Sequence, residues 1–160
     1  ISQRSILGAK RQVFMVSLGG FDTHDNQIPA QPNLHTQVGN AVKYFYDAMN
    51  TLGVSNSVTL FTASDFGRTL TSNGDGSDHG WGSHHFIVGG SVLGQRYYGT
   101  FPIMGLNNND EVGSGRLLPT TSVDQFAATF ARWFGVGDSN LELVVPNIRN
   151  FSNANLGFLG

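Results

Sequence analysis

The feature that most constrains the fold is a run of apolar residues, VFMVSL, which spans positions 13–18 and is followed by two glycines. A continuous apolar run of this length is typical of a strand that is buried on both faces. Apolar residues then recur every three or four positions over 34–52 and stop at Gly53, which predicts an amphipathic helix. A second β-branched and aromatic run covers 58–62. Residues 13–62 therefore predict a βαβ unit with parallel strands and a right-handed crossover.

The composition indicates a globular chain whose surface is mostly neutral. Charged residues make up 12% of the 160 residues, against about 25% in typical soluble proteins. The net charge of −2 gives no electrostatic basis for binding nucleic acid. No apolar stretch approaches the roughly 20 residues that cross a bilayer, so we expect no membrane span. From its length we expect the chain to form a single domain over residues 1–160. Because the chain has no Cys, a metal ion would be held by imidazole, carboxylate or carbonyl groups.

Acidic and imidazole side chains follow both predicted strands. Asp22 and His24 come after the first apolar run, and Asp65 comes after the second. Ligands bind at the carboxyl ends of parallel strands, and residues i and i+2 of an extended segment point to the same side. We therefore expect Asp22 and His24 to face one cation and Asp65 to be a further metal ligand, with His79 as a fourth candidate ligand. His79 lies in the polar stretch 65–82, which is long enough to be a binding loop.

Further candidate residues lie near these loops. His84 and His85 are adjacent, so that only one of them can face a site from an extended segment. Nitrogen and oxygen ligands without sulfur suit a divalent ion such as Zn or Mn, with Ca or Mg if oxygen atoms dominate. Arg68 and Arg116 are the candidates for binding the anionic group of a substrate.

Each of these residues also has an alternative structural role. Asp22 and Asp65 can cap turns or whatever follows each strand, and His35 lies within the predicted helix, where it is expected at the surface. The stretch 73–78 has some likeness to a calcium-binding loop, but it lacks the bidentate Glu of that motif and favours a glycine-rich turn.

A second helix is indicated near the end of the chain. Ser122 and Gln125 have the spacing of a capping box, in which each side chain accepts a hydrogen bond from the backbone N–H of the other residue. Apolar residues recur over 123–134, and Gly135 follows the last of them. We expect a helix that begins at this capping box and ends at this glycine.

Four sequence runs together resemble the domain of unknown function 1501 family. They are QVFMVSLGGFDTHDNQ at 12–27, FTASDFGRT at 61–69, DHGWG at 78–82 and PTTSVDQ at 119–125. That family is placed near the alkaline phosphatase and sulfatase superfamily. The resemblance implies a parallel-sheet α/β/α sandwich with one or two metals at strand ends, of which this chain would be the carboxyl-terminal portion. It also implies that the missing amino-terminal half supplies the nucleophile, and that the protein is bacterial and exported to the periplasm or exterior.

The same resemblance assigns roles to individual residues. Asp22 and His24 are similar to an acid and an imidazole that bind one metal, and His79 is similar to a later imidazole ligand. Asp65 matches a strand-end Asp, but Phe66 stands where the superfamily has His or Asn. The resemblance implies a metal-dependent hydrolase of phosphate or sulfate esters. The alternative is a non-catalytic binding or structural protein outside the cell that retains the fold.

Overall fold

The computed structural model describes all of residues 1–160, and it contains four helices and four short strands. The helices are α1 (Arg4–Leu7), α2 (Gln27–Thr51), α3 (Val123–Trp133) and α4 (Leu141–Val144). The strands are β1 (Thr59–Phe61), β2 (Gly67–Ser72), β3 (Ser77–Gly80) and β4 (Ile87–Gly89). Short 3₁₀ turns cover Ser55–Ser57, Asp138–Asn140 and Pro146–Asn150. No helix has both the length and the apolar character that a membrane span requires.

The strands form two separate antiparallel pairs, and the predicted parallel α/β/α sandwich is wrong. β1 pairs with β4, with Leu60 opposite Val88, and β2 pairs with β3. The predicted strand at 13–18 is absent, because none of its backbone groups makes a backbone hydrogen bond. Its apolar side chains are 47 to 94% exposed. An apolar run indicates that both faces favour burial, but it does not specify which strand pairs with it. Because no strand forms at 13–18, the predicted βαβ unit is absent.

The helix predicted between the two runs is confirmed. α2 extends further toward the amino terminus than the apolar pattern indicated, and it includes Pro29 in its first turn and Pro32 further in. Proline is tolerated in the first turn because the N–H groups there have no partner within the helix. The helix ends before Gly53, whose φ of +66° suits glycine. Met49 is the one fully buried residue of α2, and the earlier members of its apolar pattern over 34–45 are half-buried.

The second predicted helix is also confirmed, together with its capping box. The Ser122 hydroxyl accepts a hydrogen bond from the backbone N–H of Asp124 at 3.0 Å, and the Gln125 side chain accepts one from the backbone N–H of Ser122 at 3.1 Å. The buried face of α3 packs against the C-terminal turns. The core consists of Ala128, Leu141, Val145 and Ile148, and rings of Phe61, Phe126, Phe130 and Phe158 pack in a neighbouring group.

Candidate functional site

The site is built on the β2–β3 hairpin, which occupies most of the stretch that was predicted as a long loop. Its turn is held by side chains that bind the backbone. The Asn73 side chain accepts a hydrogen bond from Gly76 N–H at 2.9 Å, and the Ser72 hydroxyl accepts one from Gly74 N–H at 3.0 Å. These are the local bonds that Asn and Ser form in turns. These bonds show the glycine-rich turn that was predicted for this stretch.

Three side chains converge beside the hairpin. Asp22 Oδ1 lies 3.1 Å from His24 Nε2 and 2.8 Å from His79 Nε2, and the two imidazole nitrogens are 3.1 Å apart. Asp22 and His24 face the same side, and His79 reaches them from β3. These residues are exposed, so an ion could reach them from solvent. We call these three residues the Asp-His-His cluster.

Arg68 fixes the Asp22 segment to the hairpin. Its guanidinium donates to the Ser77 carbonyl and to the Phe21 carbonyl, each at 2.6 Å, and lies 3.3 Å from Asp22 Oδ1. Arg68 pairs with His79 across the hairpin, and residues that pair in this way project to the same face of the sheet. The Arg68 side chain is only 18% exposed. Arg68 was predicted to bind a substrate anion, and in the structure its guanidinium makes three hydrogen bonds within the protein.

Asp78 and Asn73 orient His24. Asp78 Oδ1 lies 3.3 Å from His24 Nδ1, the ring nitrogen that points away from the cluster. The Asn73 amide donates to Asp78 Oδ1 at 3.1 Å and to the His24 carbonyl at 2.9 Å. A carboxylate on the outer nitrogen of an imidazole fixes the tautomer in which the inner nitrogen is free to bind a metal. Neither residue was predicted to lie at the site, because their contact with His24 depends on how the hairpin turn is folded.

Both carboxylates at the site are stabilised as anions. The hydrogen bond from His79 lowers the pKa of Asp22 below its usual value, and the charges of His24 and Arg68 act in the same direction. The hydrogen bond from Asn73 lowers the pKa of Asp78, and His24 adds to this effect. A cation would therefore meet an ionised carboxylate at neutral pH.

The chain matches a known protein family. The family described as "Protein of unknown function (DUF1501)" matches residues 1–145. The chain belongs to this family. The Asp-His-His cluster and the Arg68 contacts of this DUF1501 chain all lie inside the matched residues. No curated protein and no solved structure matches the chain.

The other candidate residues of the DUF1501 chain lie outside the Asp-His-His cluster. Asp65 and Arg116 line an adjacent cavity of about 280 Å³ together with His79, Gly80 and Trp81. The His84 ring packs on the ring of Phe101, with centroids 5.0 Å apart. The His85 ring lies 3.4 Å from the Thr62 hydroxyl, and its partial burial lowers its pKa. His35 contacts Gln31 on the surface of α2, as expected for a surface residue.

The donor set of the cluster fits a divalent ion. Two imidazole nitrogens and one carboxylate oxygen are common ligands of zinc, and three protein ligands are the number found in catalytic zinc sites. Ligand atoms on a tetrahedral zinc ion are separated by about 3.4 Å. The three separations in this cluster run from 2.8 to 3.1 Å, so small shifts would admit an ion. The arrangement is a candidate metal centre with a coordination position left for water or an anion.

Proposed function

We propose that this DUF1501 chain provides the metal site of a hydrolase that acts on phosphate or sulfate esters, with chemistry related to that of the alkaline phosphatase and sulfatase superfamily. The observation that carries the proposal is the convergence of Asp22, His24 and His79. His24 and His79 are 55 positions apart in sequence, yet their Nε2 atoms are 3.1 Å apart. Together with the Asp22 carboxylate, these two imidazole nitrogens make a donor set of the kind that holds zinc in proteins.

The donor set favours Zn²⁺ or Mn²⁺ over Ca²⁺ or Mg²⁺, because two of the three ligand atoms are nitrogen. Such an ion would polarise an oxygen of the ester group and neutralise its charge. Within the chain, Asp78 would hold His24 in the correct tautomer, and Arg68 would hold Asp22 in place. Arg116, and not Arg68, is the residue proposed to contact the substrate anion, since it lines the cavity beside His79.

The decisive experiment measures bound metal in the purified chain. We expect one equivalent of Zn²⁺ or Mn²⁺ in the wild type, and its loss in each of the variants Asp22→Ala, His24→Ala and His79→Ala. His35→Ala is the matched control, because this surface histidine contacts Gln31 and not the cluster. Metal that persists in all three cluster variants, or that never binds, would overturn the proposal. Because the nucleophile is expected outside this chain, turnover of 4-nitrophenyl phosphate or 4-nitrophenyl sulfate is measured on the metal-loaded product of the complete gene, and it identifies the ester class.

A second candidate function is a non-catalytic binding or structural protein. The observation that favours it is the position of Phe66, whose ring stacks on His79 with centroids 3.7 Å apart and planes within 6°. An aromatic ring in this place covers one face of a proposed ligand and supplies no ligand atom of its own. Bound metal without turnover of either ester would favour this second function. Turnover that is lost together with the metal would favour the hydrolase.

We propose a periplasmic or extracellular location for either function. The support is the resemblance to exported bacterial proteins of this family, together with a mostly neutral composition in which charged residues are 12%. Fractionation of cells that express the complete gene, followed by detection of the chain with an antibody, tests the location. We expect the chain outside the cytoplasmic fraction, and its recovery only with cytoplasmic markers would refute this.

A further inference from the structure

A cavity of about 280 Å³ opens beside the candidate metal centre, and five residues line it. They are Asp65, His79, Gly80, Trp81 and Arg116. We propose that this cavity binds the alcohol part of the ester, and that this part is a single hydroxylated ring, such as one sugar residue. The inference rests on the proposed function, because His79 is both a wall of the cavity and a member of the Asp-His-His cluster.

Trp81 provides an exposed aromatic surface. Its side chain is 68% exposed, although Trp is usually well buried in proteins. The backbone around it is tightly packed, because a Cβ atom on Gly80 would lie 2.9 Å from the Arg68 carbonyl oxygen and one on Gly82 would lie 3.1 Å from Pro119. The backbone on both sides of Trp81 is therefore closely packed, while the indole itself is largely exposed. An exposed indole at the edge of a cavity is suited to stacking on a ring.

Arg116 is held in place, and it retains free donors. The carbonyl oxygen of Gly115 accepts a hydrogen bond from Leu70 N–H at 3.0 Å, which fixes this turn to β2. The Glu111 carboxylate accepts a hydrogen bond from Gly115 N–H at 2.7 Å. The guanidinium of Arg116 makes one hydrogen bond, to the Gly113 carbonyl at 3.1 Å. Since a guanidinium carries five N–H donors, most of them can bind an oxyanion.

Asp65 decides which kind of ring fits. Its exposed carboxylate lines the same cavity and can only accept hydrogen bonds when ionised. The hydroxyl groups of a sugar donate such bonds, whereas a nitrophenyl ring has no donor to offer. Asp65 also repels a second anionic group, so the substrate should carry its phosphate or sulfate at the Arg116 end alone. The volume lies just below the usual range of about 300 to 1,000 Å³ for ligand pockets, which suits one ring rather than several.

The test is a binding titration that uses Trp81 as the reporter. The chain has two Trp residues, so the Trp133→Phe variant of the full chain leaves Trp81 as its only indole. This metal-loaded variant is mixed rapidly with glucose 6-phosphate, glucose 6-sulfate, 4-nitrophenyl phosphate or inorganic phosphate. We expect a saturable fluorescence change with at least one sugar ester, at a Kd roughly tenfold below that of inorganic phosphate. The phosphate and sulfate arms decide which oxyanion the cavity prefers.

Four variants and one control, measured by calorimetry, assign the contacts. We expect Trp81→Ala to weaken binding of the sugar ester by roughly tenfold, Trp81→Phe to retain most of it, and both to leave binding of inorganic phosphate unchanged. Asp65→Asn should reduce the preference for the sugar ester over 4-nitrophenyl phosphate. Arg116→Gln should weaken binding of every anion, while Arg149→Gln, which alters an exposed arginine outside the cavity, should have no effect.

The inference is overturned if sugar esters bind no better than inorganic phosphate, if Trp81→Ala leaves their affinity unchanged, or if 4-nitrophenyl phosphate binds as tightly as they do. Failure of the proposed function gives a different result, in which the wild-type chain binds neither Zn²⁺ nor Mn²⁺. A chain that binds metal and turns over esters, but is indifferent to the Trp81 variants, would retain the hydrolase proposal and lose the ring site.

Discussion

Two neighbouring parts of the chain differ in how completely their chemical groups are paired. The β2–β3 hairpin and the segment 21–24 are polar, and they are joined by hydrogen bonds from Arg68 and Asn73 at 2.6 to 3.3 Å. The apolar segment 13–18 precedes them directly. It makes no backbone hydrogen bond, and Met15 and Val16 are 94% and 93% exposed.

Polar and apolar segments of this chain specify their partners in different ways. Donors and acceptors in the hairpin are directional, so Arg68 fits two particular carbonyl groups and few others. The hydrophobic effect is non-directional and depends on area, so segment 13–18 would gain from almost any apolar neighbour. The polar part is therefore determined by residues close at hand. The apolar part needs another surface that its own sequence does not identify.

The largest expected effect comes from removing the guanidinium that joins the two polar segments. Arg68→Met keeps the approximate length of the side chain but leaves the Phe21 and Ser77 carbonyls without their donors. We expect the free energy of unfolding to fall by about 2 to 3 kcal/mol, as measured by urea denaturation followed by circular dichroism. Arg68→Lys should lie in between, because an ammonium group cannot reproduce the fork of a guanidinium.

The control for this substitution is Arg149→Met, because Arg149 is exposed in a 3₁₀ turn away from the hairpin. It should change the free energy of unfolding by less than about 0.5 kcal/mol. If Arg68→Met is equally mild, the hairpin and segment 21–24 are held together by other contacts. The hydrogen bonds of Arg68 would then not be what distinguishes the polar part from the apolar segment 13–18.

The same contrast explains how much of the fold was predictable. The boundaries of α3 follow from a capping box and a terminal glycine, which act within a few residues, and the structure confirms them. The direction of strand pairing depends on which distant segment meets β1, and that proved to be β4 in an antiparallel arrangement. The apolar pattern at 13–18 indicated that burial is favourable, but it could not supply a neighbour. Local signals were therefore reliable and the inferred sheet was wrong.

The candidate site shows the same division. Asp22, His24 and His79 were selected from the sequence, and the structure places their ligand atoms within 4.8 Å of one another. The roles of Asp78 and Asn73 emerge only when the hairpin brings them to His24. Their signal in the sequence was a turn motif, which predicts backbone conformation and not a contact with a residue about 50 positions away. Binding of a metal stays a prediction.

A smaller effect is expected from crowding the interface between the two polar segments. A Cβ atom on Gly76 would lie 2.6 Å from the Thr23 carbonyl oxygen, so Gly76→Ala must push segment 21–24 away from the hairpin. We expect a loss of about 2 kcal/mol in the free energy of unfolding and weaker metal binding. Gly39→Ala is the matched control in α2, where an added Cβ meets nothing within 4 Å. It should stabilise the chain by about 0.5 to 1 kcal/mol, and equal effects at both glycines would contradict the close contact.

A pH-dependent effect is expected at His85, whose ring lies 3.4 Å from the Thr62 hydroxyl and beside the ring of Phe126. Partial burial, followed by the charge of His84, lowers the pKa of His85 below its usual value. The unfolded chain therefore binds a proton more readily than the folded chain, and stability should fall as the pH drops below about 6.5. His85→Gln should flatten this part of the stability profile, as measured by urea denaturation between pH 7 and pH 5. His35→Gln is the surface control and should leave the slope of unfolding free energy against pH unchanged. If His85→Gln also leaves this slope unchanged, the effect belongs to another group.

The smallest effect on stability is expected in the apolar segment itself. Because Met15 and Val16 are almost fully exposed, the double variant Met15→Lys, Val16→Lys should change the free energy of unfolding by less than about 0.5 kcal/mol. It should also reduce self-association in light scattering, since exposed apolar runs attract one another. Ile148→Ala is the reference for a buried site and should cost about 2 to 5 kcal/mol. A loss above about 1 kcal/mol in the double variant would mean that another surface covers segment 13–18 in solution, because lysine at a solvent-exposed position costs almost nothing.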